Sequence, residues 1–168
     1  KLAEQGYTTL SIQLPVLGSG AKVGDYIPTY PDSNERFELS AHWLMEQKGF
    51  EHVVIVGHSL GATMSNKYLI SSEYIKKETP LIKAWVFISI INGLEEMFRI
   101  KVPVFDLFGS EDWVITRVGA YERRQQIVKV PGSAQYEVPG APHFFEGKED
   151  DLVSVIVKWL DDVFQVNK

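Results

Sequence analysis

The segment VVIVGHSLGA, residues 53–62, contains the motif from which the fold can be predicted. Its four β-branched residues, 53–56, predict a buried strand, and the small residues after Ser59 predict the start of a helix. Gly57 and Gly61 stand two residues before and two residues after Ser59, which suits a sharp and closely packed turn. The segment therefore predicts a strand–turn–helix unit in which the Ser59 hydroxyl points out of the sheet.

The rest of the chain alternates between strand and helix patterns. Strands are predicted at residues 7–14, 52–56, 82–91, 102–108 and 134–138, and helices at 34–48, 60–71 and 117–128. The last helix has one apolar face, formed by Leu152, Val155, Ile156, Trp159, Leu160 and Val163. Residues 18–34 show no period and are expected to form a loop. The alternation predicts an α/β fold with a mostly parallel sheet and helices on both faces, a three-layer sandwich.

The composition excludes several classes of protein. The 168 residues carry a net charge of −5 and no cluster of Lys or Arg, so binding to nucleic acid is not expected. The absence of cysteine excludes disulfides and cysteine nucleophiles, and it leaves the compartment open between cytoplasm and periplasm. No apolar run is long enough for a transmembrane helix.

Ser59 stands where a parallel sheet places its active residues. Ligands bind beyond the carboxyl ends of the strands, and Ser59 follows one such end. The amide of Leu60, at the start of the next helix, is expected to face the same place and to stabilise an oxyanion there. The pattern Gly-x-Ser-x-Gly between a strand and a helix indicates a nucleophile elbow, and a capping serine in a glycine-rich turn is the alternative. A serine nucleophile needs a base, so a histidine and an acid are expected further along the chain.

Of the four histidines, His143 is the candidate base. It lies in the loop after the strand at 134–138, again at a carboxyl end and ahead of the final helix. His58 is adjacent to the serine, but its place along the turn does not direct its ring at the hydroxyl, so we expect it to support the site. His42 falls inside a predicted helix, and His52 opens a strand far from its carboxyl end.

Asp112 is the favoured acid. It comes a few residues after a strand, and the chain order Ser, Asp, His is the one expected on this architecture. Its neighbour Glu111 is a plausible substitute. Asp106 lies within the strand and is expected to have a structural role, while Glu95 and Glu96 offer a weaker alternative after another strand.

Three segments resemble the α/β-hydrolase superfamily, and the resemblance covers essentially the whole chain. GHSLG at 57–61 is similar to the family's nucleophile elbow, GSED at 109–112 to its acid turn, and GAPHFF at 140–145 to its histidine loop. The last two segments resemble those of small bacterial hydrolases.

The resemblance implies a role for each candidate. Ser59 is the nucleophile, His143 the general base and then acid, and Asp112 the residue that orients the imidazole. The implied reaction is acyl transfer to water through an acyl-enzyme, without a metal or an organic cofactor. Gly57, His58 and Gly61 would support the elbow, and the Leu60 amide would be one oxyanion donor.

The chain departs from the family at its beginning. The family's earlier strands are missing, including the one whose loop supplies the second oxyanion donor. That strand normally lies between those corresponding to residues 7–14 and 52–56, so these two strands pair directly, another chain fills the gap, or the parent protein is longer. We favour the last and expect residues 1–168 to be a single truncated domain. Loss of one donor lowers the rate about 100- to 1,000-fold, and an unpaired sheet edge would favour homo-oligomers.

The expected function is that of a carboxylesterase-like enzyme acting on a small ester or thioester. A peptidase or thioesterase on the same scaffold is a near alternative, and a non-catalytic hydrolase-like protein used for binding or assembly is a more distant one. Trp113 is expected either to line the pocket or to pack the turn. Tyr26 and Tyr30, in the predicted loop, suit either an apolar acyl pocket or a solvated surface.

Overall fold

The computed structural model describes residues 1–91 and 93–165. Within these residues four parallel strands form one sheet, in the order β1 (Val53–His58), β2 (Ile82–Ile88), β3 (Val104–Gly109) and β4 (Ala134–Val138). Helical segments connect them, because a parallel crossover needs a connection of a dozen or more residues. The carboxyl ends of all four strands therefore lie at one edge of the sheet.

The helices occupy the connections and the carboxyl-terminal part of the chain. They are α1 (Tyr30–His42), α2 (Leu60–Leu69), α3 (Ser72–Ile75), α4 (Val114–Ile127) and α5 (Glu149–Phe164). Short 3-10 helices span Ala3–Gln5, Val23–Thr29 and Met97–Arg99, and a π-helical turn, Trp43–Gln47, continues α1. Among the described residues, no helix combines the length and the apolar character needed to cross a membrane.

The side chains of β2 alternate between two apolar layers. Trp85 and Phe87 belong to a cluster that includes residues of α1 and α2, and Val86 belongs to a second cluster with Trp159 of α5. Burial of each such side chain contributes about 1.5–3 kcal/mol. Both faces of the sheet are therefore covered, which confirms the predicted α/β fold with its three layers and the apolar face predicted for the last helix.

A buried ion pair joins α4 to the sheet. The Nε atom of Arg123 donates to a carboxylate oxygen of Asp106 at 2.8 Å, and both side chains are fully buried. Gln135 of β4 donates to the same oxygen at 2.7 Å. The Arg123 Nη1 atom donates to the carbonyls of Thr116, at 3.1 Å, and Ile90, at 3.4 Å. Asp106 thus has a structural contact inside the sheet, as its position in a strand indicates.

Residues 7–14 do not form the predicted strand. They have no regular secondary structure, and among the described residues no strand pairs with the outer edge of β1. Ile12 and Leu14 nevertheless pack against the first apolar cluster. The β-rich composition therefore reflects apolar packing, whereas a strand also needs a neighbour for its backbone hydrogen bonds. Direct pairing of residues 7–14 with β1, one of the three expected arrangements, does not occur.

The predicted loop at 18–34 is partly helical. It contains the 3-10 helix Val23–Thr29, and α1 begins at Tyr30 rather than at residue 34. Pro31 lies in the first turn of α1. A backbone N–H in that turn has no acceptor within the helix, and proline favours the helical φ, so a proline here is compatible with the start of a helix. Tyr26 and Tyr30 are partly buried against the first apolar cluster.

β4 has its predicted bounds, and the other predicted elements are present with shifted ends. β1 continues to His58, two residues past its predicted end at 56, and α4 begins at Val114 rather than at 117. β2 ends at Ile88 rather than at 91, because the next residue, Ser89, has a φ of +53° and leaves the β region.

Candidate active site

The turn that carries Ser59 is strained. Ser59 has a φ of +51° and a ψ of −117°, a conformation that residues other than glycine rarely adopt. Such a conformation costs about 1–3 kcal/mol and persists only where the surroundings hold it. The amide of Ser59 donates to the carbonyl of Ile88 at 2.8 Å, which anchors the turn to the end of β2.

The two glycines of the motif differ in what they do. A β-carbon at Gly57 would lie 2.9 Å from the carbonyl oxygen of Gly61 and 3.0 Å from the Cα of Ala62, so the strand and α2 approach each other through this position. A β-carbon at Gly61 would meet only Leu14 Cδ1, at 3.9 Å. The close approach therefore leaves no space for a side chain at Gly57, whereas Gly61 contributes its carbonyl oxygen to the approach and has space on its Cβ side.

Three side chains from distant parts of the chain meet at the carboxyl edge of the sheet. His143 Nε2 lies 3.1 Å from Ser59 Oγ, and His143 Nδ1 lies 2.7 Å from Asp112 Oδ1. His143 and Asp112 are each 3% exposed. Because the carboxylate can only accept, the neutral imidazole carries its proton on Nδ1 and directs the Nε2 lone pair at the serine hydroxyl.

The acid turn and the histidine loop are joined backbone to backbone. A β-carbon at Gly109 would lie 1.9 Å from the carbonyl oxygen of Ala141, so only glycine allows the two segments to cross. The Glu111 amide donates to that same oxygen at 3.0 Å, and the Gly140 amide donates to Ser110 Oγ at 2.7 Å. These contacts set the distance between Asp112 and His143.

The Asp112 carboxylate is held by three donors. Besides His143, the Trp113 amide donates to Oδ1 at 2.6 Å and the Ser89 hydroxyl donates to Oδ2. Burial by itself raises the pKa of Asp112, but the hydrogen bonds from Ser89, His143 and the Trp113 amide outweigh it and hold the pKa below its usual value. Asp112 is therefore ionised at neutral pH.

Aromatic rings surround His143. The Nε2 atom of His58 lies 2.9 Å from the His143 carbonyl oxygen, so His58 contacts the loop backbone and not the serine hydroxyl. Burial lowers the pKa of His58, with smaller opposing contributions, and keeps its ring neutral. Trp113 is stacked on His143 with ring centroids 3.6 Å apart, and Phe144 meets His143 edge-on at 4.9 Å. Trp113 thus covers the histidine ring.

The alternative acids lie elsewhere. The Glu111 side chain is exposed. Glu95 pairs with Lys67 of α2, and Glu96 pairs with Arg99. Asp106 forms its buried ion pair with Arg123.

Of the remaining histidines, His42 at the end of α1 pairs with Glu38 of the same helix and with Glu46 of the π-helical turn. His52 packs edge-on against Phe164. Neither contacts Ser59 or Asp112.

Sequence reasoning missed Ser89, and it placed Gly109 in the acid turn without predicting its contact with the histidine loop. Ser89 is fully buried directly after β2 and contacts the acid, and its signal in the sequence is a serine at the carboxyl end of the apolar run AWVFIS. Gly109 ends β3, and its signal is a glycine between an apolar strand and the acid turn. Within residues 1–91 and 93–165, no three His, Asp or Glu side chains cluster to hold a metal ion.

The amide of Leu60 is available beside this cluster. Leu60 is the first residue of α2, where a backbone N–H has no acceptor inside the helix. The arrangement thus combines a strained serine, a histidine with its acceptor nitrogen directed at that serine, and a helix amino terminus. Those are the parts needed for nucleophilic attack on an acyl group.

Comparison with family models found no match, and comparison with curated proteins found none either. The structure, by contrast, is similar to solved α/β hydrolases. An α/β serine hydrolase without a lid from Xanthomonas campestris shares 16% sequence identity at a TM-score of 0.64, over 89% of this chain and 63% of that one.

A predicted CIB-like hydrolase from Thermoplasma acidophilum gives 16% identity and a TM-score of 0.62, over 84% of this chain and 65% of that one. An esterase from Pyrococcus furiosus gives 17% identity and a TM-score of 0.58, over 86% of this chain and 65% of that one. The chain therefore spans less than two thirds of the length of each of these structures. The chain has the α/β-hydrolase fold, which confirms at the level of the fold the resemblance that its three motifs indicate.

Proposed function

We propose that the chain is a serine hydrolase that cleaves a small ester or thioester through an acyl-enzyme. The observation that carries the proposal is the unbroken line of contacts from Ser59 through His143 to Asp112, at 3.1 and 2.7 Å. The similarity to solved serine hydrolases and esterases supports hydrolysis on this scaffold. The ester or thioester bond is our inference from the resemblance of the motifs.

In the first half of the proposed reaction, Ser59 Oγ attacks the substrate carbonyl while His143 Nε2 takes the serine proton. Asp112 stabilises the imidazolium through Nδ1–H. The negative charge on the carbonyl oxygen faces the Leu60 amide at the start of α2. When the carbon–oxygen or carbon–sulfur bond breaks, the leaving alcohol or thiol takes the proton from His143, and Ser59 remains acylated.

In the second half, water attacks the acyl-enzyme. His143 Nε2 accepts a proton from that water, and the new tetrahedral centre again places its negative oxygen at Leu60. The bond to Ser59 Oγ breaks, Oγ recovers its proton from His143, and a carboxylic acid leaves. The chain's residues return to their starting state, as a catalyst requires.

A fluorophosphonate probe tests the proposal, because it reacts with activated serines. We expect mass spectrometry to locate the phosphonate on Ser59, and the reaction to be suppressed in the His143→Ala variant. The matched control is His42→Ala, which removes a surface histidine of α1 and should label normally. Labelling of a different serine would contradict the assignment of the nucleophile, and no labelling of the unsubstituted chain would contradict the proposal and favour a hydrolase-like binding protein. Panels of esters, thioesters and peptides would then separate esterase, thioesterase and peptidase activity.

A further inference from the structure

Ser89 is a buried serine whose hydroxyl contacts the acid of the site. It follows β2 directly, has 0% exposed surface, and donates from Oγ to Asp112 Oδ2. It also has a φ of +53°, in the left-handed region that residues other than Gly, Asn and Asp rarely adopt. A buried, strained serine aimed at a carboxylate calls for a physical reason.

Three contacts hold this strained corner in place. The Ser89 amide donates to the carbonyl of Leu107 in β3 at 2.7 Å. The preceding carbonyl, of Ile88, accepts the Ser59 amide at 2.8 Å. The following carbonyl, of Ile90, accepts from the buried Arg123 at 3.4 Å. The end of β2 therefore touches both the turn of the proposed nucleophile and, through Ser89, the acid.

The second carboxylate oxygen of Asp112 is the one that Ser89 holds. His143 and the Trp113 amide both contact Oδ1, so neither of these two donors holds Oδ2 or restrains the carboxylate plane from that side. That torsion is soft in aspartate. A donor on Oδ2 fixes the plane of the carboxylate and thereby keeps Oδ1 facing His143.

We infer that Ser89 is a positioning residue of the proposed hydrolase, whose hydroxyl orients Asp112 so that the carboxylate in turn orients His143. The inference rests on the proposed function. Hydrogen bonding to Ser89 also lowers the pKa of Asp112 against the opposing effect of burial, and it is the largest of the lowering contributions. Ser89 touches neither Ser59 Oγ nor the reacting atoms, so it acts through the acid.

The test compares Ser89→Ala with Ser89→Gly. Both variants lack the hydroxyl, whereas glycine adopts the left-handed conformation without strain and should fold even where alanine does not. Ser33→Ala is the matched control. Ser33 lies on α1, away from the acid, and is also fully buried. Its Oγ donates to the Thr29 carbonyl at 3.1 Å.

The first readout is the downfield proton resonance of His143 Nδ1–H, which reports the hydrogen bond to Asp112 without any need for activity. We expect it in the unsubstituted chain and in Ser33→Ala, and we expect it to broaden or vanish in both Ser89 variants. The second readout is the rate of Ser59 labelling by the fluorophosphonate, which should fall about tenfold in both Ser89 variants, as expected from losing a hydrogen bond to a charged group.

The outcomes separate the two proposals. A chain whose Ser59 does not label contradicts the proposed function, and the downfield resonance then decides the role of Ser89 by itself. Ser89→Gly with an unchanged resonance would overturn the positioning role and leave Ser89 a structural residue. Absence of the resonance from the unsubstituted chain would also overturn it, because Asp112 would then not hold His143.

Discussion

The indole of Trp113 lies parallel to the imidazole of His143, with an interplanar angle of 5° and ring centroids 3.6 Å apart. Trp113 is 48% exposed, so its ring stands between the histidine and solvent. The face of an indole attracts a cation. In the proposed reaction His143 is positively charged only after it has taken the serine proton, so this contact favours the transition state over the resting state.

Replacing Trp113 should slow the reaction without disturbing the fold. We expect Trp113→Leu to lower the rate of Ser59 labelling about three- to tenfold, since a cation–π contact at a partly exposed site contributes about 0.5–1 kcal/mol or somewhat more. Trp113→Phe should retain part of the rate, because a phenyl face still attracts the imidazolium. Equal rates for all three proteins would show that the stacking only packs the turn.

Removing the charge of the acid should be more damaging. In Asp112→Asn the amide no longer selects the Nδ1–H tautomer of His143, and we expect the labelling rate to fall about 10³- to 10⁴-fold. Glu111→Gln, at the exposed neighbouring position, is the matched control and should label at the original rate. A large loss in Glu111→Gln with a small loss in Asp112→Asn would exchange the two assignments.

The crossing of the acid turn and the histidine loop should tolerate no side chain. A β-carbon in Gly109→Ala would lie 1.9 Å from the Ala141 carbonyl oxygen, so the two segments must move apart. We expect lower stability to urea and loss of Ser59 labelling. Gly24→Ala, where no atom lies within 4 Å of the added carbon, is the control and should behave as the unsubstituted chain. Normal labelling of Gly109→Ala would mean that the loops are not fixed by this contact.

Acid should weaken the contribution of Asp112 to stability. Its pKa in the folded chain lies below that in the unfolded chain, so its contribution to the free energy of unfolding is complete above the unfolded value of about 3.9. That contribution is lost as the pH falls through the lower folded pKa. The difference in urea midpoint between the unsubstituted chain and Asp112→Asn should therefore be larger at neutral pH than under strongly acidic conditions. A difference that does not change with pH would contradict the lowered pKa.

The buried ion pair should be costly to break on one side only. Arg123→Met leaves the Asp106 carboxylate buried without its cation, and we expect the free energy of unfolding to fall by about 3–5 kcal/mol. The double variant Asp106→Leu, Arg123→Met should regain much of that loss, because no unpaired charge remains. Lys148→Met, next to Asp151 on the surface, is the control and should cost about 1 kcal/mol or less. Urea unfolding of the four proteins measures these differences.

Local pattern was sufficient for most of the fold. The β-branched run before Ser59, the alternation of strands and helices, and the apolar face of α5 each arise from neighbouring residues, so the sequence predicts them directly. The strand predicted at residues 7–14 failed for the complementary reason. Its composition describes side-chain packing, but strand formation depends on a partner that the described residues do not provide.

By itself, the sequence determined the α/β fold and the chemical types at the candidate site, because the motifs around Ser59, Asp112 and His143 are short and local. Only the tertiary structure decided how they meet. The serine and histidine are 84 residues apart, the histidine and acid 31, and Ser89 and the acid 23. The crossing at Gly109, the stacking of Trp113 and the donor on Asp112 Oδ2 exist only once the strands align their carboxyl ends, because a contact between distant residues leaves no periodic signal in either segment.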